Sequence, residues 1–184
     1  MATLSAFLFI SLNGAFKGPK GDISWHRHGN EEQSFAAEGA NARSTLIFGR
    51  KTFQMMASWW PTPMAAQAMP DVARGMNASP KVVFSRSLKR TDWENSRIIR
   101  TDPVRAIRKM KSTQDGHLTI LGSGSIVTLC VEHGLLDELQ IMVDPVLLAS
   151  GVPLVKGMTR TVDLELTSHR VFRSGTVLLR YKPR

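Results

Sequence analysis

Acidic residues are scarce in this chain and cysteine is nearly absent. There are 15 Asp and Glu against 24 Lys and Arg in 184 residues, and Cys130 stands alone. One cysteine excludes an internal disulfide and fits a reducing compartment. It falls on the apolar side of a helix-like stretch, so it reads as a buried structural thiol and not as a nucleophile. No apolar run reaches the ~20 residues of a membrane span, which excludes a membrane partner of that kind. The opening MATLSAFLFISLNG has no basic segment before its apolar run and no cleavage site. It reads as a first strand and not as a signal peptide, which assigns the chain to the cytoplasm. Aromatic residues make up 7% of the chain. None interleave with the densest cation cluster, Arg105, Arg108, Lys109 and Lys111, as a base-stacking platform requires. That cluster reads as a solvated helix face, so nucleic acid is not the expected partner. The formal charge of +9 is better matched to an anionic small molecule.

What is present is a single domain of ordinary soluble composition, 42% hydrophobic and 21% charged over residues 1–184. Leu4–Leu12 is apolar with little alternation, as in a central strand covered on both faces. Glu31–Ala42 reads as a helix with Asn30 as its N-cap. Thr45–Phe48, Lys81–Phe84 and Ser96–Arg100 read as strands, and Asp102-Pro103 opens a helix running to about Ser112. Thr62–Ser79 reads as a loop with one short helix around Pro70–Gly75, and Lys17–Asp22 and Val146–Pro153 as loops. Leu139–Val143 is a strand, and Leu164–Phe172 and Thr176–Tyr181 flank a hairpin loop. The predicted fold class is α/β, three layers around a mostly parallel sheet with antiparallel C-terminal strands.

Three strand ends carry groups suited to an anion. Leu118–Leu121 runs through Gly122-Ser123-Gly124-Ser125 into an apolar helix from Ile126. Glycines allow close backbone approach, and helix-start N–H groups favour negative charge. This segment lacks the third glycine and trailing acid of the dinucleotide fingerprint, so alone it fits a phosphate cradle and an ordinary turn equally. Thr45–Phe48 leads into Gly49-Arg50-Lys51-Thr52, where guanidinium, ammonium and hydroxyl stand at a helix start. Ser85-Arg86 follows the strand Lys81–Phe84. Ligands of parallel sheets bind outside the carboxyl ends of strands, so the three grips are expected to converge on one extended phosphate ligand such as a dinucleotide.

The ordered set Ser11-Leu12-Asn13-Gly14, Phe48-Gly49-Arg50-Lys51-Thr52-Phe53 with Trp60-Pro61, Val83-Phe84-Ser85-Arg86, Leu121-Gly122-Ser123-Gly124, and Gly134–Leu139 through Asp144-Pro145-Val146 resembles a known family. It is similar to the dihydrofolate reductase-like proteins of the riboflavin-biosynthesis reductase type, the C-terminal domain of the bifunctional deaminase–reductase and its stand-alone relatives. The resemblance implies NADPH as cofactor and hydride transfer to a small heterocyclic, pteridine- or pyrimidine-like substrate. It implies that Gly49, Arg50, Lys51 and Thr52 hold the phosphates, with Ser85 and Arg86 near the adenosine end. Gly122, Ser123, Gly124 and Ser125, flanked by Leu121 and Ile126, would meet the pyrophosphate or the nicotinamide side, and Ser11 and Leu12 would face the nicotinamide. It also implies a homodimer.

Asn13, Trp25, Glu32 and Trp60 are the candidate substrate contacts. Each has a plainer reading: Glu31 and Glu32 as first-turn helix acids, His26 and His28 beside Arg27 as surface loop residues, the tryptophans as packing. Asn13 stands where the family carries aspartate, and an amide is no general acid. Leu121 stands where reductases often have a further glycine. No acid–base pair and no metal site declares itself, so the catalytic residues stay unassigned. An NADP(H)-binding protein without reductase activity is the alternative.

Overall fold

A computed structural model describes residues 1–26, 29–41 and 44–184. Arg27 and His28, and the Ala42 end of the first expected helix, lie outside the described residues. The elements are β1 (Thr3–Ser11), β2 (Ala15–Lys17), α1 (Asn30–Asn41), β3 (Thr45–Gly49), α2 (Arg50–Ala57), α3 (Pro63–Ala68), α4 (Pro70–Ala78), β4 (Lys81–Phe84), β5 (Ser96–Ile99), α5 (Pro103–Thr113), β6 (His117–Leu121), α6 (Gly124–Glu132), β7 (Glu138–Asp144), β8 (Val152–Pro153), β9 (Leu164–Val171) and β10 (Val177–Pro183). Eight strands form one sheet in the order β5-β4-β3-β6-β1-β7-β10-β9, and β2 and β8 form a separate pair. The first six strands of that order are parallel, and β10 and β9 are antiparallel to their neighbours. β1 lies between β6 and β7, the central place its unbroken apolar run implies.

Alternation along the strands makes two cores. Leu4, Ala6 and Leu8 of β1, Ile47 of β3 and Leu118 and Ile120 of β6 pack under α5 and α6, which contribute Val104, Ile107, Met110, Ile126, Val127 and Cys130. The opposite face sends Leu46, Phe48 and Val83 against α1, α2 and α4, and Phe7, Phe9 and Met142 against Phe35 of α1. Three layers follow directly. Cys130 is buried as expected, and burial pushes its thiol up to about 12.

Two expectations are corrected. Thr62–Ser79 holds two helices, not a loop with one. Thr62 caps the first by accepting the Ala65 N–H at 3.2 Å, and a proline begins each. Their apolar faces are too short to show helical periodicity, but Val72 and Met76 pack on the β3–β4 face. Val146–Pro153 and the segment after Asn13 are also not wholly loop, because Ala15–Lys17 pairs with Val152–Pro153.

Lys81 ends α4 in an arrangement that sequence did not show. It is 1% exposed. Its ammonium donates to the carbonyls of Met76 (2.8 Å), Asn77 (3.0 Å) and Ser79 (2.7 Å), and lies 4.6 Å from the Trp93 ring centroid. Burial lowers its pKa from 10.5 to about 8, against a smaller raising effect of Glu94. Between those values the unfolded chain binds the proton that the folded chain has released, so stability rises with pH across this window. The unfolding free energy of wild type relative to Lys81→Met is therefore expected to grow, by up to ~3 kcal/mol, between neutral and strongly alkaline pH. Urea denaturation at the two extremes reads this, and a difference that shrinks with pH contradicts it.

Candidate functional site: a cationic crevice between two helix starts

β3 and β6 are parallel neighbours with Ile47 paired to Ile120. Two residues further on, Gly49 and Gly122 end these strands side by side. The helix after β3 packs on one face of the sheet and the helix after β6 on the other. Adjacent strands whose connections leave to opposite faces open a crevice at their carboxyl ends. Sequence placed these junctions 74 residues apart; the sheet order brings them into contact, with the Gly49 N–H donating to Ser123 Oγ at 2.8 Å.

Gly122 and Ser123 both adopt left-handed backbone, φ 57° and 58°. The turn points Ser123 Oγ at Gly49 and starts α6 directly at Gly124. Neither α2 nor α6 has a side-chain N-cap or an acid in its first turn. The Arg50, Lys51 and Thr52 N–H groups of α2 and the Gly124 and Ser125 N–H groups of α6 have no partner among the described residues, while the Ile126 N–H donates to the Ser123 carbonyl at 2.8 Å, and both helix dipoles have their positive ends at this crevice.

A cavity of about 500 Å³ lies at this point. Its walls include Gly49, Arg50, Lys51 and Thr52 from the β3–α2 junction, and Ser123, Gly124, Ser125 and Thr128 from the β6–α6 junction. The far wall comes from the β2–β8 pair and its continuation, with Phe16, Lys17, Leu154 and Lys156. Among the described residues, four cations and no carboxylate line it. The Thr128 hydroxyl is buried in this wall with no hydrogen-bond partner among the described residues. The far wall is held by Glu132 at the end of α6, whose carboxylate accepts the Thr159 N–H (2.6 Å) and hydroxyl (2.8 Å), while Arg160 donates to the Glu132 and Val131 carbonyls. Thr159 holds the Glu132 carboxyl below its ordinary pKa.

Not every candidate residue lines this cavity. Ser85 and Arg86 follow β4, the strand next to β3, with Phe84 paired to Gly49. Ser85 Oγ accepts the Leu88 N–H at 2.9 Å, so it organises its own turn and adjoins the crevice from the side. Leu121 turns into the α2 core, and Ile126 into the α6 core. Ser11 and Leu12 lie at the end of β1, beyond β6. Trp60 is half-buried against Met56, its Nε1 donating to Met56 Sδ at 3.0 Å, and packs with the α2 core instead of the cavity. Lys17, Lys156 and Thr128 were missed because the β2–β8 pair is too short to declare itself in sequence, and a threonine inside a helix carries no signal.

Asn13 is a latch. Its Oδ1 accepts Ser11 Oγ–H (2.8 Å) and the Leu148 N–H (3.1 Å), and its Nδ2 donates to the Leu148 carbonyl (2.8 Å). An ionised aspartate supplies both acceptors but no donor. Asn13→Asp is thus expected to cost about 1 kcal/mol at neutral pH. The loss should shrink under acidic conditions, where a protonated carboxyl regains a donor. Denaturation at pH values above and below the carboxyl range tests this; an equal loss at both counts against it.

Glu31 and Glu32 clasp the β9–β10 turn. Glu31 pairs with the Arg173 guanidinium (3.2 Å) and accepts its N–H (3.0 Å), and Glu32, 4% exposed, accepts the Ser174 hydroxyl. His26 stacks on Phe9 at 4.4 Å between ring centroids, and Trp25 meets His26 edge-on at 4.3 Å. The Trp25 Nε1–H is buried with no acceptor among the described residues.

The fold recurs in solved structures. A putative riboflavin biosynthesis protein from Shewanella sp. PV-4 superposes with a TM-score of 0.77 at 21% identity, covering 100% of this chain and 99% of that one. Dihydrofolate reductase from Enterococcus faecalis, solved with NADP(H), gives 0.68 at 16% identity over 99% and 96%. A diaminohydroxyphosphoribosylaminopyrimidine deaminase/5-amino-6-(5-phosphoribosylamino)uracil reductase from Thermotoga maritima gives 0.71 at 12% identity, covering 100% of this chain and 57% of that one. At these identities the likeness is one of fold, a dihydrofolate reductase-like sheet with its antiparallel edge. Family membership comes from the sequence itself: residues 2–178, from the first strand to the last, match the RibD C-terminal domain, and the chain belongs to that family.

Proposed function

We propose that the protein is a cytoplasmic NADPH-dependent reductase acting on a small pteridine- or pyrimidine-like heterocycle. One observation carries this reading: the sheet order β4-β3-β6-β1. It sets Ser85-Arg86, Gly49–Thr52, Gly122–Ser125 and Ser11-Leu12 along one row of strand ends. That is the order of adenosine phosphate, pyrophosphate and nicotinamide in an extended dinucleotide, over three strand spacings, ~14 Å. The cavity suits phosphates: two helix starts without side-chain caps and, among the described residues, four cations, no carboxylate and a Thr128 hydroxyl with no partner. Gly124 fits as part of a narrow cradle, since a Cβ there would stand 2.9 Å from the Leu154 carbonyl oxygen. The family and the names of its structural neighbours, a uracil-type reductase and a dihydrofolate reductase with NADP(H), support the same class.

When bound, the cofactor supplies the hydride. The chain's part is grip and orientation. Arg50 offers a planar fork to phosphate oxygens, Lys51, Lys17 and Lys156 offer point charges, and the first N–H groups of α2 and α6 donate along the helix axes. Asn13 holds the end of β1 against Leu148 and so fixes the strand end that faces the nicotinamide. The Trp25 Nε1–H, buried with no acceptor among the described residues, is a donor for an acceptor on a flat heterocycle. Fluorescence titration with NADPH tests binding, and no binding at high micromolar cofactor overturns the proposal. Asn13, an amide tied to Ser11 and Leu148 and no general acid, favours the second reading, a binding protein without turnover. NADPH oxidation with any member of a pteridine and pyrimidine panel removes that reading.

A further inference from the structure

Along α6, Gly124, Thr128 and Glu132 recur at every fourth position, so they share one face of the helix. The segment from Leu154 to Arg160, which follows β8, touches that face at both ends. At the helix start, the Leu154 carbonyl oxygen occupies the space a side chain on Gly124 would need, 2.9 Å from the position of its Cβ. At the helix end, Thr159 donates its N–H (2.6 Å) and its hydroxyl (2.8 Å) to Glu132 Oε1, and Arg160 donates to the Glu132 and Val131 carbonyls. Lys156 stands between these two contacts and, with Thr128, lines the cavity.

The segment has little slack. From Gly124 to Glu132 the helix axis runs ~12 Å. From Leu154 to Thr159 the chain reaches at most ~17 Å when fully extended. The turn at Gly157, with φ 85°, uses part of that reach. Burial fixes the segment only lightly. Leu154 and Met158 pack against the first core, while Val155, Lys156 and Gly157 are exposed. The two end contacts therefore decide where Lys156 sits.

We infer, on the reading of this cavity as the cofactor's phosphate site, that Glu132 is a positioning residue: by clasping Thr159 at the far end of α6 it fixes Lys156 over the cavity. Glu132 is not among the residues that line the cavity. Two properties separate the clasp from a tie that only stabilises the fold. Charge works against binding, since the carboxylate lies one helical turn beyond Thr128, ~6 Å along the axis, and repels a bound phosphate. By charge alone, its removal tightens binding. Geometry works for binding, and it needs no charge: both Thr159 bonds end on one oxygen, and an amide oxygen has two lone pairs to accept them. Clasp and charge thus predict opposite signs for the same substitution.

Fluorescence titration of the full chain with NADPH reads that sign. Lys156→Ala is expected to weaken binding at least ~10-fold, the scale of one charge-assisted bond, and Glu132→Ala ~5-fold or more. Glu132→Gln should bind as tightly as wild type or slightly more tightly. In a Lys156→Ala background, Glu132→Ala should cost less than ~2-fold, because the cation it positions is gone. Circular dichroism should be unchanged throughout, since the substituted side chains lie outside the three cores. The same series titrated calorimetrically with inorganic pyrophosphate reads the grip with no nicotinamide present. Equal or tighter NADPH binding in Glu132→Ala overturns the inference and leaves the cofactor reading standing. So does full additivity of Glu132→Ala and Lys156→Ala, or a loss in Glu132→Gln equal to that in Glu132→Ala. Wild type that binds pyrophosphate but not NADPH overturns the cofactor reading, and the pyrophosphate series then decides the role of Glu132 by the same signs. Wild type that binds neither overturns both.

Discussion

Replacing Arg50 and Lys51 together by alanine is expected to weaken NADPH binding by ~100-fold or more while leaving stability within about 0.5 kcal/mol of wild type. Both side chains are exposed at the start of α2. Arg50 makes one surface contact, to Gln54 Oε1 at 3.1 Å, whose loss costs the fold little. Each cation would give a charge-assisted bond to phosphate worth about 1.5–3 kcal/mol, and two such bonds set the expected loss. Salt should mimic the substitution, because exposed cations are screened. Titration by cofactor fluorescence, paired with urea denaturation, separates the two effects. Unchanged affinity in the double variant would move the phosphate site away from this crevice.

Gly124→Ala is expected to lower cofactor affinity at least ~10-fold and stability by about 1–3 kcal/mol. Gly124 has an ordinary helical backbone, so the added methyl meets no conformational penalty there, and alanine even favours a helix slightly. The damage comes from space. The new Cβ would stand 2.9 Å from the Leu154 carbonyl oxygen and 3.5 Å from the Phe16 ring. Leu154 cannot retreat freely, because the same loop is tied to the end of α6 through Thr159 and Arg160. The far wall and its Lys156 must shift as a unit. A variant as stable as wild type, with unchanged affinity, would show that this wall yields at little cost.

Local chemistry makes much of the molecule legible in its sequence. Asp102-Pro103 announces α5, and Asp102 does cap it by accepting the Arg105 N–H at 2.8 Å. The apolar run of β1 announces its central place because only a strand covered on both faces can be apolar throughout. Short elements are less legible. α3, β2 and β8 have two to six residues each, too few to show periodicity. They exist because neighbours complete them: β2 and β8 pair only with each other, across more than a hundred residues of chain.

The candidate site divides the same way. Residue types at strand ends mark three candidate anion grips, because glycine, hydroxyl and cations just past a strand are the groups such a grip needs. Proximity is not in those residues. Glu32 and Asn13, read as possible substrate contacts, are engaged by Ser174 and by Leu148, partners more than a hundred positions away. Lys17, Lys156 and Thr128 gain their place only where the β2–β8 pair closes the cavity. The sequence by itself determined the longer elements, the buried thiol and the residue types at each strand end, because these follow from patterns within a few residues. Only the tertiary structure decided that β6 inserts between β3 and β1, since strand order is set by long-range pairing that no local pattern encodes. That insertion is what joins Gly49 to Ser123 and makes one crevice from two turns.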